Sequence, residues 1–212
     1  MAITELVFPQ IKTDPASLNE IERDWPIISK RLTDPNPGLI HAFRGWVLTE
    51  NGQDVRDAHK EVLLFEWNKA ESFHAFAGSE QFSAFASSIR HLVNGPPTLQ
   101  LFETNYSPKD VASAPVVEIT RVELENPKSV EGALRTWERI SHFLASTGVK
   151  ASVLYGRSSN LDEDIVMGTI GWSNLEDRSR VSHEEAFAEA LDTLQTLGEV
   201  SNITIDVDAM EL

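Results

Sequence analysis

The chain of 212 residues repeats itself once, and that repeat constrains its fold more than any other feature. Residues 60–96 read KEVLLFEWNKAESFHAFAGSEQFSAFASSIRHLVNGP, an apolar run ending in Trp67, a short break, and a long stretch with an aromatic face. A shift of 105 residues superposes Trp67 on Trp172, Glu71 on Glu176, Phe82 on Phe187, Ile89 on Leu194 and Leu92 on Leu197. The openings of the halves agree at a shift of 112, where TELVFPQIKTDP (4–15) falls on VVEITRVELENP (116–127) and Trp25 on Trp137. One shorter hairpin loop accounts for the change of shift, since NGQDVRDAHK has only SSNLDED opposite it. The period is too long for a solenoid, so each copy is about one small domain.

Within the first copy, 4–12 reads as a strand stopped at Asp14-Pro15, and Ser17 as the cap of a helix buried along Leu18, Ile21, Trp25, Ile28 and Leu32. Pro26 predicts a kink or broken turn in that helix. Strands follow at 39–49 and 61–67, then a helix over 70–93 with Phe73, Phe76, Phe82 and Phe85 inward, then a strand over 98–105. The order β-α-β-β-α-β is that of the ferredoxin-like unit, a four-stranded antiparallel sheet with both helices on one face. The second copy repeats it. Apolar residues fall at both parities in 39–47 and 62–67, which requires both sheet faces to be covered. The fold class expected is therefore α+β: two tandem ferredoxin-like units, residues 1–106 and 116–212 joined by a linker at 107–115, whose antiparallel sheets pack face to face as an intrachain α/β barrel.

Composition narrows the function. A formal charge of −15 without a local Lys/Arg cluster opposes nucleic acid and anionic lipid. No apolar run approaches the ~20 residues that span a bilayer, and the N-terminus lacks a basic-apolar signal, so no membrane partner and a cytoplasmic location are expected. With no cysteine there is no disulfide or thiolate ligand, and no histidine pair has metal-ligand spacing. P-loop, Rossmann and nucleophile-elbow patterns are missing too. The acidic turn at 161–165 lacks the spaced ligands of a calcium loop. No metal and no cofactor is expected.

GLIHAFRGW (38–46) followed by EVLLFEWNKAESFHAFAGSEQF (61–82) resembles the antibiotic-biosynthesis-monooxygenase (ABM) type of dimeric α/β barrel. That resemblance implies a barrel usually built from two subunits and here from a fused pair, so a homodimer is left to the outer surfaces. The superfamily it resembles spans cofactor-free monooxygenases, haem-degrading oxygenases, isomerases, decarboxylases, dehydratases and proteins with no known chemistry. The haem-degrading branch of that superfamily is disfavoured, because the position of its helix histidine falls on Ala86 and the first strand has no asparagine.

A pocket between one sheet and its helices would be lined by Gln10, Trp25, Phe65, Trp67, Phe73, Phe76, Phe82 and Phe85. His74 beside that aromatic face, His41 on a covered strand and Arg44 within the same strand are the candidate catalytic groups, since a buried polar side chain needs a partner or a ligand. For Arg44 the plain alternative is an ion pair with Glu66 across the hairpin. The equivalents of Phe73 and Phe85 in the second copy are Arg178 and Ala190, so the first copy is expected to carry the function and the second mainly to cover it. The function expected is a cofactor-independent, monooxygenase-like enzyme of secondary metabolism on an apolar aromatic or polyketide-type molecule. The alternatives are a non-oxidative cyclase, isomerase or decarboxylase, and a stress-type barrel that binds a small ligand.

Overall fold

The computed structural model describes residues 1–211. In the first half, strands β1 (Ala2–Phe8), β2 (Leu39–Glu50), β4 (Glu61–Trp67) and β5 (Thr98–Thr104) lie in the order β2-β4-β1-β5, with the two-residue β3 (Gln53–Asp54) extending the hairpin. In the second half β6 (Val116–Leu124), β7 (Ala151–Ser158), β8 (Ile165–Trp172) and β9 (Gly198–Ala209) lie in the order β7-β8-β6-β9. The two sheets do more than face each other. Their edges hydrogen-bond, β5 to β7 over Phe102–Thr104 and β2 to β9 from Phe43 to Glu50, so the eight long strands close into one antiparallel barrel without exposed edges.

Each seam crosses a glycine at the same place in its half. A Cβ on Gly45 would collide with the Asp206 carbonyl, and one on Gly156 with the Glu103 carbonyl. The barrel interior is filled by Leu6, Phe43, Leu64, Phe102, Ile119 and Met167, among others. The stretch expected as a linker is part of that core. It forms a short helix, α4 (Lys109–Ala112), whose Val111 and Ala112 are buried against the interior cluster at one end of the barrel.

Outside the barrel each sheet carries a helical layer. The first comprises α1 (Pro15–Thr33), α2 (Ala70–Ala77) and α3 (Glu80–Ile89); the second α5 (Val130–Ser146), α6 (Leu175–Ser182) and α7 (Glu185–Gln195). Asp14 rather than Ser17 caps α1, accepting the Ser17 amide at 3.0 Å with Pro15 at the first helical position. Pro26 removes one backbone hydrogen bond without ending the helix. The helix expected over 70–93 and its counterpart in the second copy are each divided. Ser79 accepts the Phe82 amide at 3.1 Å and starts α3 anew, and β9 begins at Gly198. Among the described residues no helix is long and apolar enough to cross a membrane.

Strand register corrects the alignment of the halves. Glu5 lies opposite Phe65 and Glu118 opposite Ile170, while Ile3 and Val116 lie opposite Trp67 and Trp172. The first strands of the two halves therefore superpose at a shift of 113, one more than their first helices, and Glu5 corresponds to Glu118.

Candidate active site

Alternation along the first sheet sends Ile3, Glu5 and Val7 of β1, and Glu61, Leu63, Phe65 and Trp67 of β4, toward the helices. Between that face and α1–α3 lies a cavity of about 610 Å³. Its floor is formed by Glu5, Val7, Glu61, Leu63, Phe65 and Trp67. Its roof comes from Trp25 and Ile28 of α1, Phe73 and Phe76 of α2, and Phe82 and Phe85 of α3. The aromatic walls interlock: Trp67 meets Phe73 edge-on at 5.9 Å and Phe76 at 5.6 Å, and Phe76 meets Phe82 at 5.5 Å. Gln10 stands at the exposed rim beside Asn94. All eight residues expected to line a pocket in this half thus border a single cavity.

The three expected catalytic side chains do not. His74 is exposed on α2, because one helical step of about 100° separates it from the inward Phe73. His41 has the parity of Phe43, toward the barrel interior, and its Nδ1 lies 2.7 Å from Glu66 Oε2, which also accepts the Ser107 hydroxyl at 2.6 Å. Arg44 stays behind the wall. It donates to Glu61 through Nε and to Glu22 at 2.7 Å, with its guanidinium 3.8 Å from the centre of the Trp25 ring and 4.8 Å from that of Trp46. The expected Arg44–Glu66 pair is replaced by Arg44–Glu61 and His41–Glu66.

The polar group in the cavity that sequence reasoning missed is Glu5. It is 4% exposed, and its Oε2 accepts the Trp67 indole N–H at 2.7 Å. No basic side chain reaches it, and Oε1 has no protein hydrogen bond among the described residues. Burial pushes its pKa from a carboxyl's usual 4.5 up to about 7, the Trp67 hydrogen bond offsetting only part of the desolvation. A second carboxyl, Glu61, is raised by burial and drawn back by Arg44. The signal for both was parity, since Glu5 alternates with Ile3 and Val7, and Glu61 with Leu63, Phe65 and Trp67.

The arrangement offers an apolar container with one carboxyl poised to exchange a proton near neutral pH. Among the described residues no three His, Asp or Glu side chains converge as a metal site would require.

No family model matches the chain, and no curated protein matches it in sequence. Solved structures do match over the whole length. A crystal structure of an anthrone oxidase-like protein superposes with a TM-score of 0.71 at 14% identity, covering 99% of this chain and 92% of the other. A candidate monooxygenase from Lactobacillus acidophilus NCFM gives 0.63 at 10% identity over 100% and 99% of the two chains. Another, from Fusobacterium nucleatum subsp. nucleatum ATCC 25586, gives 0.60 at 8% identity over 99% and 94%. At these identities the shared property is the fold.

Proposed function

The chain being an ABM-like dimeric α/β barrel made as a fused tandem, we propose that it is a cofactor-independent oxygenase for an apolar aromatic molecule of polyketide type, bound in the cavity of the first half. The observation that carries this reading is Glu5, a carboxyl titrating near neutrality in an apolar aromatic cavity. Its pKa suits a group that must both take and return a proton, and a water-poor cavity keeps that proton on the reaction coordinate. The whole-length likeness to an anthrone oxidase-like protein and to candidate monooxygenases agrees with it.

The substrate would carry an acidic methylene between electron-rich rings. Glu5 removes one proton, and the resulting carbanion reduces dioxygen by one electron and recombines with it to form a carbon–oxygen bond. The protonated Glu5 returns its proton to the peroxide. Loss of the second C–H proton with cleavage of the O–O bond then releases water and leaves a ketone. Overall, methylene plus dioxygen gives carbonyl plus water, and the substrate supplies all the electrons.

An oxygen electrode with anthrone as the probe tests this. The expected result is one dioxygen consumed per anthraquinone formed, unchanged by chelators, from a colourless protein. Turnover of such substrates without oxygen uptake would move the protein to non-oxidative proton transfer, and tight binding without turnover to a binding barrel.

A further inference from the structure

The cavity contains a second carboxylate that the proton transfer leaves unused. Glu61 opens β4, is 4% exposed, and shares the cavity-facing parity of Leu63, Phe65 and Trp67. Among the described residues its one side-chain partner is Arg44, which bonds Oε1 and leaves Oε2 without a protein partner. Arg44 is itself immobilised between Trp25, Trp46 and Glu22. The carboxylate is therefore fixed in place at the cavity wall and can only accept hydrogen bonds. A ligand that covers it without offering a donor leaves it buried and unsatisfied, which costs ligand affinity.

Position adds a length. Glu5 lies opposite Phe65, and Glu61 is four residues before Phe65 on the adjacent strand, so the two glutamates are set about 13 Å apart along the sheet, backbone to backbone. Allowing about 3 Å for each contact leaves roughly 7 Å between an atom that meets Glu5 and one that meets Glu61. Between them the floor is apolar, formed by Leu63, Phe65 and Val7.

We propose that Glu61 is a specificity-determining residue, accepting a hydrogen bond from a phenolic hydroxyl at the far end of the substrate, and that the ligand class is a fused polycyclic phenol whose reacting carbon lies across the hydroxyl-bearing ring from that hydroxyl, at roughly the 7 Å just given. The identity of the reacting carbon rests on the oxygenase reading, whereas recognition of the hydroxyl does not. A polycycle without the hydroxyl leaves the free oxygen of Glu61 without a donor.

The test is binding without turnover. 2-Hydroxyanthraquinone and 2-methoxyanthraquinone already carry carbonyls at the central carbons, and both should quench the fluorescence of Trp25 and Trp67. At pH 6 the wild-type protein is expected to prefer the hydroxy compound by at least about tenfold. Glu61→Gln should bring the two within about twofold, because its amide can donate to the methoxy oxygen. Glu5→Gln should keep the wild-type preference. Should Glu61→Gln not fold, 2-aminoanthraquinone on the wild type decides in its place, binding like the hydroxy compound if a donor is what the site reads. Equal binding of hydroxy, methoxy and amino compounds, or a preference kept in Glu61→Gln, overturns the assignment. Preference without oxygen uptake would sink only the oxygenase reading; oxygen uptake without preference would sink only the role of Glu61.

Discussion

The two halves share a frame and differ in what fills it. In each, the tryptophan ending the second hairpin strand donates its indole N–H to a glutamate on the half's first strand: Trp67 to Glu5 at 2.7 Å, Trp172 to Glu118 at 3.0 Å. In the second half Arg178 also binds Glu118 through both oxygens at 3.0 Å, and Asn202 donates to it at 3.0 Å. Phe73 stands at the place of Arg178, so Glu5 has no cation. A second exchange concerns volume. Trp137 is 1% exposed and lies over Gly168, where a Cβ would run into its ring. The first half has Leu63 at that strand position, and Trp25 is held aside under Arg44. The comparison teaches that a cavity and a buried carboxyl without a cation arise from a few exchanges on an unchanged frame. The second half, with its layer filled and its glutamate neutralised, keeps the structural version.

The largest expected effect separates the glutamates. Glu5→Gln keeps an acceptor for Trp67 and loses the titrating group, so turnover should fall by ~10²–10⁴ in kcat at near-unchanged affinity. Glu118→Gln should leave kcat within about twofold and lower the melting temperature, because Arg178 loses a charge-assisted pair. Steady-state kinetics with melting curves on both variants checks it, and equal kcat losses would erase the functional difference between the halves.

Next come the tryptophans. Trp172 is fully buried in a filled layer with Phe187 edge-on at 6.3 Å, so Trp172→Ala should cost ~3–5 kcal/mol while ligand binding in the other half persists. Trp67→Ala opens a wall of an existing cavity and removes the donor to Glu5. Its larger effect should fall on ligand affinity, measured by titration beside urea unfolding of both variants. Binding lost in Trp172→Ala at intact stability would place the site in the wrong half.

The fold was legible because it rests on hydrophobic period and on a repeat that carries tryptophans at matching places. Closure of the barrel was less so: the seams at Phe102–Thr104 and Phe43–Glu50 pair edge strands from opposite halves, and backbone pairing leaves little trace in side-chain type. Phe73, Phe76, Phe82 and Phe85 could be placed on one inward face because they follow the helical repeat. The cavity carboxyl Glu5 was missed through an alignment error of one residue. At a shift of 112 Glu5 falls on Val117, and since a slip of one reverses the face of a strand, the shared glutamate–tryptophan pair stayed hidden. His74 drew attention by its company in sequence, yet adjacent residues on a helix point in different directions.

The smallest expected effect is thermodynamic and tests the cause of the difference directly. Glu5 has a folded pKa of about 7 against 4.5 for an ordinary carboxyl, so between those values the native state holds a proton that the unfolded chain has released. A group whose pKa is raised by folding favours the native state fully below the unfolded value and loses that contribution as pH rises through the folded value. Stability should therefore decline from about pH 4.5 to about pH 7 by an amount on the order of 3 kcal/mol from this group, then level off. Urea unfolding at pH 5 and pH 8 measures it as the difference between wild type and Glu5→Gln, which cancels the other titrating groups. Wild type should lose stability relative to the variant on going to pH 8. Phe73→Arg would give Glu5 the counter-charge that Arg178 gives Glu118, depressing its pKa and removing the decline. Parallel pH profiles for wild type and Glu5→Gln would mean that Glu5 is already paired or solvated in the folded protein, and the contrast between the two glutamates would fall with it.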